Sequence, residues 1–325
     1  MRITNPMVTR NYTKGLNENR GLLDRYSRQV YDGRRFYTMS EDPSSGVRAM
    51  QVRRNLLRID AYLDNVSSAQ SHLGAAESAL MEVSDVNQSV GELFVSGING
   101  DKGPAEREIV ATQIEKLRDE LLALGNTNFA GRYVFGGSNT VTQPFTLDPE
   151  GNLLYNNVDV RGINGNHELL NDAAYMDVGV GVTFNDTGDA QKVDPNTAHK
   201  YTLVGVDFFG TGNDNIYRVM NDMIDSLRAP VFDPEAAGEV LDRFRESAAG
   251  VNVELTKLGA DSQYLEFTKD RLDTEKINLT SRQKDIEGID ADEAIMNFKM
   301  QEYVYNATLQ MGQRLLQPTL FSFIN

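Results

Sequence analysis

Three histidines, His72, His167 and His199, are the side chains best able to ligate a metal or move protons near neutral pH. None stands at metal-ligand spacing from another, and His72 falls inside a helical run. All three read as solvated or partly buried residues. Asp290, Asp292 and Glu293 form an acidic cluster, and paired carboxylates can serve as acid and base. On a helix they face different sides, so a solvated helical break is the better reading. Gly136-Gly137 and Gly179-Val180-Gly181 lack both the Walker lysine and a GxGxxG pattern, so they read as turn and strand glycines rather than phosphate loops. Cysteine is absent, which removes disulfides and thiolate metal sites. No catalytic residue, metal site or cofactor is expected.

Elements able to position a site must come from 325 residues, enough for two or three domains with real cores. No apolar run approaches the length of a membrane span. The start, Met1-Arg2-Ile3-Thr4-Asn5-Pro6, lacks the apolar stretch of a signal peptide, so a cytoplasmic or specially exported protein is expected. The net charge of −15 is uneven. Residues 1–40 hold eight basic and three acidic side chains, whereas 141–239 hold five basic and sixteen acidic ones. The acidic middle argues against nucleic acid, which needs a positive footprint. The basic start reads as a helix face that pairs with acidic neighbours in an assembly.

Prolines punctuate the chain. Pro6, Pro43, Pro104 and Pro234 follow Asn5, Asp42, Gly103 and Asp233, and proline suits the first helical position. The first helix carries Tyr12, Leu16, Asn19, Leu23, Tyr26 and Val30 in steps of four and three, and stops near Asp32-Gly33. The second runs from Pro43 to about Ser96, and the third from Pro104 to about Leu124. Residues 130–232 change character. Asn164-Gly165 signals a hairpin. Met176, Val178, Val180, Val182 and Phe184 alternate as a strand does, and Tyr201 to Phe209 is another β-like run. Asn213 or Asp214 is expected to cap a helix bearing Ile216, Val219, Met223 and Leu227.

From Leu241 to Ile286 the three–four spacing is unbroken, which argues coiled-coil packing. It shifts at Gly288 and resumes through Ile295, Phe298, Glu302, Tyr305, Leu309, Gly312 and Leu316. The last helix is also apolar on a neighbouring face, through Met300, Val304, Met311 and Leu315, so it needs more than one neighbour. The pattern predicts a mainly α fold with an inserted β-rich domain, the terminal helices pairing into a long coiled-coil bundle. Three domains are expected: 1–40 with 290–325 as a terminal-helix assembly domain, 41–136 with 233–289 as a helical bundle, and 137–232 as a β-rich outer domain. The expected assembly interface is Tyr12, Leu16, Leu23, Tyr26, Val30, Phe298, Tyr305, Leu309, Leu316, Leu320 and Phe323.

Met1-Arg2-Ile3-Thr4-Asn5-Pro6-Met7, then Asp32-Gly33-Arg34-Arg35 and Ser40-Glu41-Asp42-Pro43, resemble the opening of the flagellar hook-associated protein 3 family, a flagellin-like family. Asp32 replaces that family's usual Ser, and Glu41 its first Asp. Asn126-Thr127-Asn128 through Gly131-Arg132-Tyr133-Val134-Phe135-Gly136-Gly137 is the most specific match, with Pro144-Phe145 at the expected distance. Tyr305, Ala307, Thr308 and Leu309, with the ending Leu320-Phe321-Ser322-Phe323, resemble the family's C-terminus. Residues 1–145 and about 213–325 carry the likeness. It implies a non-enzymatic structural subunit, with a ring of copies at the hook–filament junction between hook-associated protein 1 and flagellin. It also implies an extracellular place on the flagellum, reached through flagellar type III export with an export chaperone. The near competitor is a flagellin-type filament subunit, whose Ser-Ala-Lys-Asp-Asp-Ala-Ala-Gly stretch is absent. More distant readings are a coiled-coil-mounted enzyme with its site in 137–232, or a coiled-coil adapter.

Overall fold

Three of the long helices start where an aspartate satisfies open amides. In the computed structural model, which describes residues 5–99, 102–162, 173–186, 191–194 and 198–315, α1 spans Asn5–Asp32 and α2 spans Pro43–Ile98. The Asp42 carboxylate accepts from the Ser45 amide at 3.0 Å at the head of α2. Before α3 (Pro104–Gly125), the Glu106 carboxylate accepts from the Gly103 amide at 3.2 Å, and the Glu106 amide donates to the Gly103 carbonyl at 3.1 Å. Asp233 accepts from the Glu235 amide at 3.0 Å where α6 (Pro234–Glu287) begins. Asp290 does the same for Asp292 at 3.0 Å and Glu293 at 3.4 Å at the head of α7 (Ala291–Leu315). The acidic cluster at 290–293 is therefore a helix start, its negative charge placed at the positive end of the helix dipole.

The chain divides into two compact units, Met1–Ile59 with Thr274–Asn325, and Asp60–Asp273. In the first, α1 packs along α7, and α2 begins and α6 ends. The α1–α7 pairing is antiparallel: Asn19 meets Thr308, and Arg34 forms a β-bridge with Gly288.

In the second unit α3 packs on α5 (Ile216–Arg228). Along α2, Val66, Leu73, Leu80, Val83, Val90 and Phe94 are buried. Along α6, Phe244, Val251, Leu258, Leu265 and Leu272 are buried at a strict interval of seven, the seam of a coiled coil. The insert is built from short antiparallel pieces. The hairpin β1 (Asn128–Phe129) to β2 (Arg132–Tyr133) turns through Ala130 and Gly131, both at positive φ, as a two-residue turn demands. Strands β3 (Phe145–Leu147), β4 (Leu153–Tyr155) and β5 (Val158–Asp159) form a sheet in that order. The pair β6 (Tyr175–Met176) with β9 (His199–Lys200), and the pair β7 (Phe184–Asp186) with β8 (Gln191–Val193), complete it.

Aromatic packing holds this insert together. Phe145 lies 5.2 Å from Tyr155, 4.3 Å from Phe209 and 6.5 Å from Phe208, while Phe135 lies 4.7 Å from Phe208 (ring centroids). Both faces of that cluster need bare backbone. A Cβ on Gly205 would come within 2.5 Å of the Phe145 ring, and one on Gly125 within 2.7 Å of Phe209.

Three local expectations are corrected. The alternating run from Met176 to Phe184 is two separate strand ends, because Gly179 and Gly181 sit at φ of +88° and +91° and turn the chain out of extended geometry. Tyr201 to Phe209 is not a strand: its end forms the short helix α4 (Val206–Phe209), which lets adjacent Phe208 and Phe209 both enter the aromatic cluster. The cap of α5 is Asn215, whose side-chain oxygen accepts from the Arg218 amide at 2.9 Å, rather than Asn213 or Asp214. Asn164-Gly165 and His167 lie outside the described residues.

Candidate assembly interface

The α1–α7 pair places most of the sequence-derived interface on one seam. Tyr12, Leu16, Leu23 and Tyr26 of α1, and Phe298 and Tyr305 of α7, are half-buried. Val30 and Leu309 are exposed at 37% and 39%. Leu316, Leu320 and Phe323 lie outside the described residues. The half-burial has a plain cause: two helices cover one stripe of each other and leave the remaining faces open.

A polar layer crosses the seam. The Asn19 side-chain amide donates to the Thr308 hydroxyl at 3.0 Å, and the Gln301 amide donates to the Asn19 carbonyl at 3.2 Å. A polar layer inside an apolar seam fixes register, because a slipped pairing leaves these groups unsatisfied. At the far end of the seam Gly312 is buried and lies directly against the Tyr12 hydroxyl, where any Cβ would overlap it. Asn19 and Gly312 stood in the periodic stripes of the sequence. Gln301 and Thr308 lie one residue off the stripe, and only the fold pairs them.

Breaks in the two arms coincide in space. Gly33, at φ of +67°, ends α1, and its amide donates to the Gln29 carbonyl at 2.9 Å. The next residues bond to the other arm: the Arg35 amide donates to the Glu287 carbonyl at 2.7 Å. Buried Gln29 donates to the Arg35 carbonyl at 2.6 Å. Arg53 grips Glu287 with two of its guanidinium nitrogens, Nε and Nη2, at 2.7 and 2.6 Å, and Glu287 is only 4% exposed. Tyr37 ties the turn down, its hydroxyl 2.8 Å from the Arg28 carbonyl and 2.9 Å from the Asp32 carboxylate. Burial and the Asp32 carboxylate push that hydroxyl up to about 12. Nothing in the one-dimensional pattern marked the Arg53–Glu287 pair.

Outside the seam α7 carries a second apolar face. Met296, Met300, Tyr303, Val304 and Met311 are exposed, Tyr303 by 75%. Their spacing of three, four and seven places them on one side of the helix. A contiguous exposed apolar stripe of that kind is a candidate interaction surface.

His72 and His199 both lie buried in the second unit. His72 meets Tyr201 edge-on at 5.8 Å, and His199 stacks on Tyr264 at 5.3 Å. Neither Nε2 has a hydrogen-bond partner among the described residues, and burial pushes both imidazoles below the ordinary histidine range. Among the described residues no group of three or more metal-ligating side chains is found.

Paired terminal helices around an inserted β-rich segment are shared with known proteins. Residues 3–140 match the bacterial flagellin N-terminal helical region. Over 317 residues, 95% of each chain, the protein is 25% identical to flagellar hook-associated protein 3 of Escherichia coli (strain K12). The chain is similar to flagellar hook-associated protein 3 over nearly its whole length. Solved structures agree on the fold of these hook-associated relatives. One, from Vibrio parahaemolyticus and assigned as hook-associated, superposes with a TM-score of 0.61 at 17% identity, covering 76% of this chain and all of that one. The flagellar junction protein FlgL of Legionella pneumophila superposes with a TM-score of 0.53 at 14% identity, covering 74% of this chain and all of that one. At such identities the hook-associated likeness in structure speaks for the fold alone.

Proposed function

We propose that this chain is a structural subunit of the bacterial flagellum that forms the junction between hook-associated protein 1 and the flagellin filament. The similarity to a hook-associated protein 3 over 95% of both chains carries the reading. The open apolar face of α7 supports it, because a helix with two apolar faces needs a neighbour beyond its own partner.

In this reading residues 1–40 with 290–325 are the assembly arm, 41–136 with 233–289 the helical bundle, and 137–232 the β-rich domain. The interface set Tyr12, Leu16, Leu23, Tyr26, Val30, Phe298, Tyr305, Leu309, Leu316, Leu320 and Phe323 then serves contacts within the arm and with neighbouring copies, hook-associated protein 1 and flagellin. The chain acts without chemistry of its own, reaches the outside through the flagellar export channel, and is escorted by an export chaperone that covers α7 until assembly.

The test is complementation. Expressed in a flagellated bacterium deleted for its own hook-associated protein 3, which keeps hooks but sheds flagellin monomers, the chain should restore attached filaments. Continued loss of flagellin despite secretion of the chain would sink the reading. Polymerisation of the purified chain alone into long filaments would favour the filament-subunit alternative.

A further inference from the structure

Two features of this chain fit each other but belong to one helix. In the unit of Asp60–Asp273, α2 and α6 border a groove of about 630 Å³ lined by Ser84, Asn87, Gly91 and Val95 on one side and by Phe244 and Ala248 on the other. Small residues keep its floor low, so another helix can approach closely. Asn87 is 6% exposed, and neither its amide nitrogen nor its oxygen has a hydrogen-bond partner among the described residues. A buried carboxamide is costly without partners, so this one favours an incoming helix that brings a polar group to it. The α2 border of the groove is acidic, with Glu82, Asp85 and Glu92 and no basic residue among 81–95, while on the α6 border Asp242 and Glu246 offset Arg243 and Arg245.

In the other unit, the start of α2 exposes Val47 by 57%, Met50 by 52% and Leu57 by 70%, with Arg54 between them. Steps of three, four and three put the four on one helix face. Residues 43–59 carry four arginines, Arg48, Arg53, Arg54 and Arg58, and no acidic residue. The stripe from 47 to 57 is ~15 Å long and the groove from 84 to 95 is ~17 Å long, at 1.5 Å rise per residue. Charge, length and apolar character are complementary. Yet α2 is continuous from Pro43 to Ile98, so a chain cannot lay this stripe in its own groove.

We infer that the groove between α2 and α6 receives the basic, apolar start of α2 from a second copy of the chain, with Asn87 pairing a polar group of the incoming helix. Such a contact joins different patches on the two copies, so it propagates from copy to copy and closes only if the rotation permits a ring. The inference rests on the assembly function proposed above and names one interface within it.

The absence of cysteine gives a clean test. Two single-cysteine chains, Leu57→Cys and Gln88→Cys, both at exposed positions, are expressed singly and together in the deleted strain, and isolated flagella are oxidised. The expected result is restored filaments with a disulfide-linked dimer only when both variants are present. The double variant Leu57→Cys/Gln88→Cys should give a ladder of multimers. Filaments restored without the mixed dimer, or a dimer of Leu57→Cys with itself, would overturn this inference and leave the assembly function standing. Failure to restore filaments with the unsubstituted chain would overturn both. Asn87→Leu separates docking from simple folding: it should raise the melting temperature of the isolated chain yet lower the yield of mixed dimer at least threefold. An unchanged yield would also overturn the inference.

Discussion

Single residues set how closely the arms approach. Gly312 is the sharpest case, because only a bare Cα leaves room for the Tyr12 hydroxyl. Gly312→Ala would have to push Tyr12 aside or open the end of the α1–α7 seam. Filament attachment should fall by at least tenfold in the complementation assay, while the melting of the unit at 60–273 stays within a degree or two. Gly312→Ala paired with Tyr12→Leu should recover part of the loss, since both the hydroxyl and the ring end of Tyr12 stand where the new Cβ would lie. Wild-type attachment in Gly312→Ala would show that this contact is not needed for assembly. Elsewhere at this scale, the Asp290 cluster, which reads from the sequence as a solvated helical break, is a helix cap: Asp290 accepts from the Asp292 and Glu293 amides.

Whole elements gain their stability from the seam of α6. Leu258, Leu265 and Leu272 are buried every seventh residue, and Leu265 has no exposed surface. Leu265→Ala leaves a cavity and should cost about 2–5 kcal/mol in thermal or chemical denaturation. The exposed Phe267→Ala on the same helix should cost much less, because its side chain is 66% exposed. Equal losses for the two would contradict the seam. The regularity of this element explains why it was readable in advance, since every turn repeats the same demand. The insert offers no such repetition. Its strands are two or three residues long, below the length at which alternation carries information. Gly179 and Gly181 broke a run that looked like a strand, and the aromatic cluster bent Val206–Phe209 into a helix.

At the scale of the molecule, charge and titration become the levers. Residues 1–59 with 274–325 hold 17 basic against 12 acidic residues, while 60–273 hold 15 against 35. Association that brings the first unit of one copy to the second of another should therefore weaken with added salt, as exposed charges are screened beyond about 8–10 Å. Mild acid should act on the second unit. His72 and His199 are held neutral by burial, with Arg132 further disfavouring charge on His72 and Asp261 opposing the shift on His199. Their depressed values mean the unfolded chain takes protons first, so their contribution is present above about pH 6.5 and lost as pH falls below it. Asp207 and Asp261 run the other way: burial raises them, so their penalty is relieved as pH falls. The net acid sensitivity is read by melting His199→Phe and His72→Phe against the parent between pH 7.5 and 5.5. Each variant should lose less stability on acidification than the parent does. An equal loss would show that the two imidazoles do not govern this range.

Sequence alone determined the long helices, their starts and the pairing of the two ends, because helix periodicity, proline placement and capping are local and repeat many times along the chain. It also placed the family likeness, through contiguous motifs such as Gly131 to Gly137. Tertiary structure alone decided which polar residues cross the α1–α7 seam, that the break at Gly33 meets the break at Gly288, and that Arg53 closes on Glu287 across 234 positions of sequence. It also decided that Asn87, buried along α2, has no side-chain partner among the described residues. The reason is the same in each case: these contacts join residues distant in sequence. A hydrogen bond or ion pair leaves no periodic trace from which one chain alone could announce it.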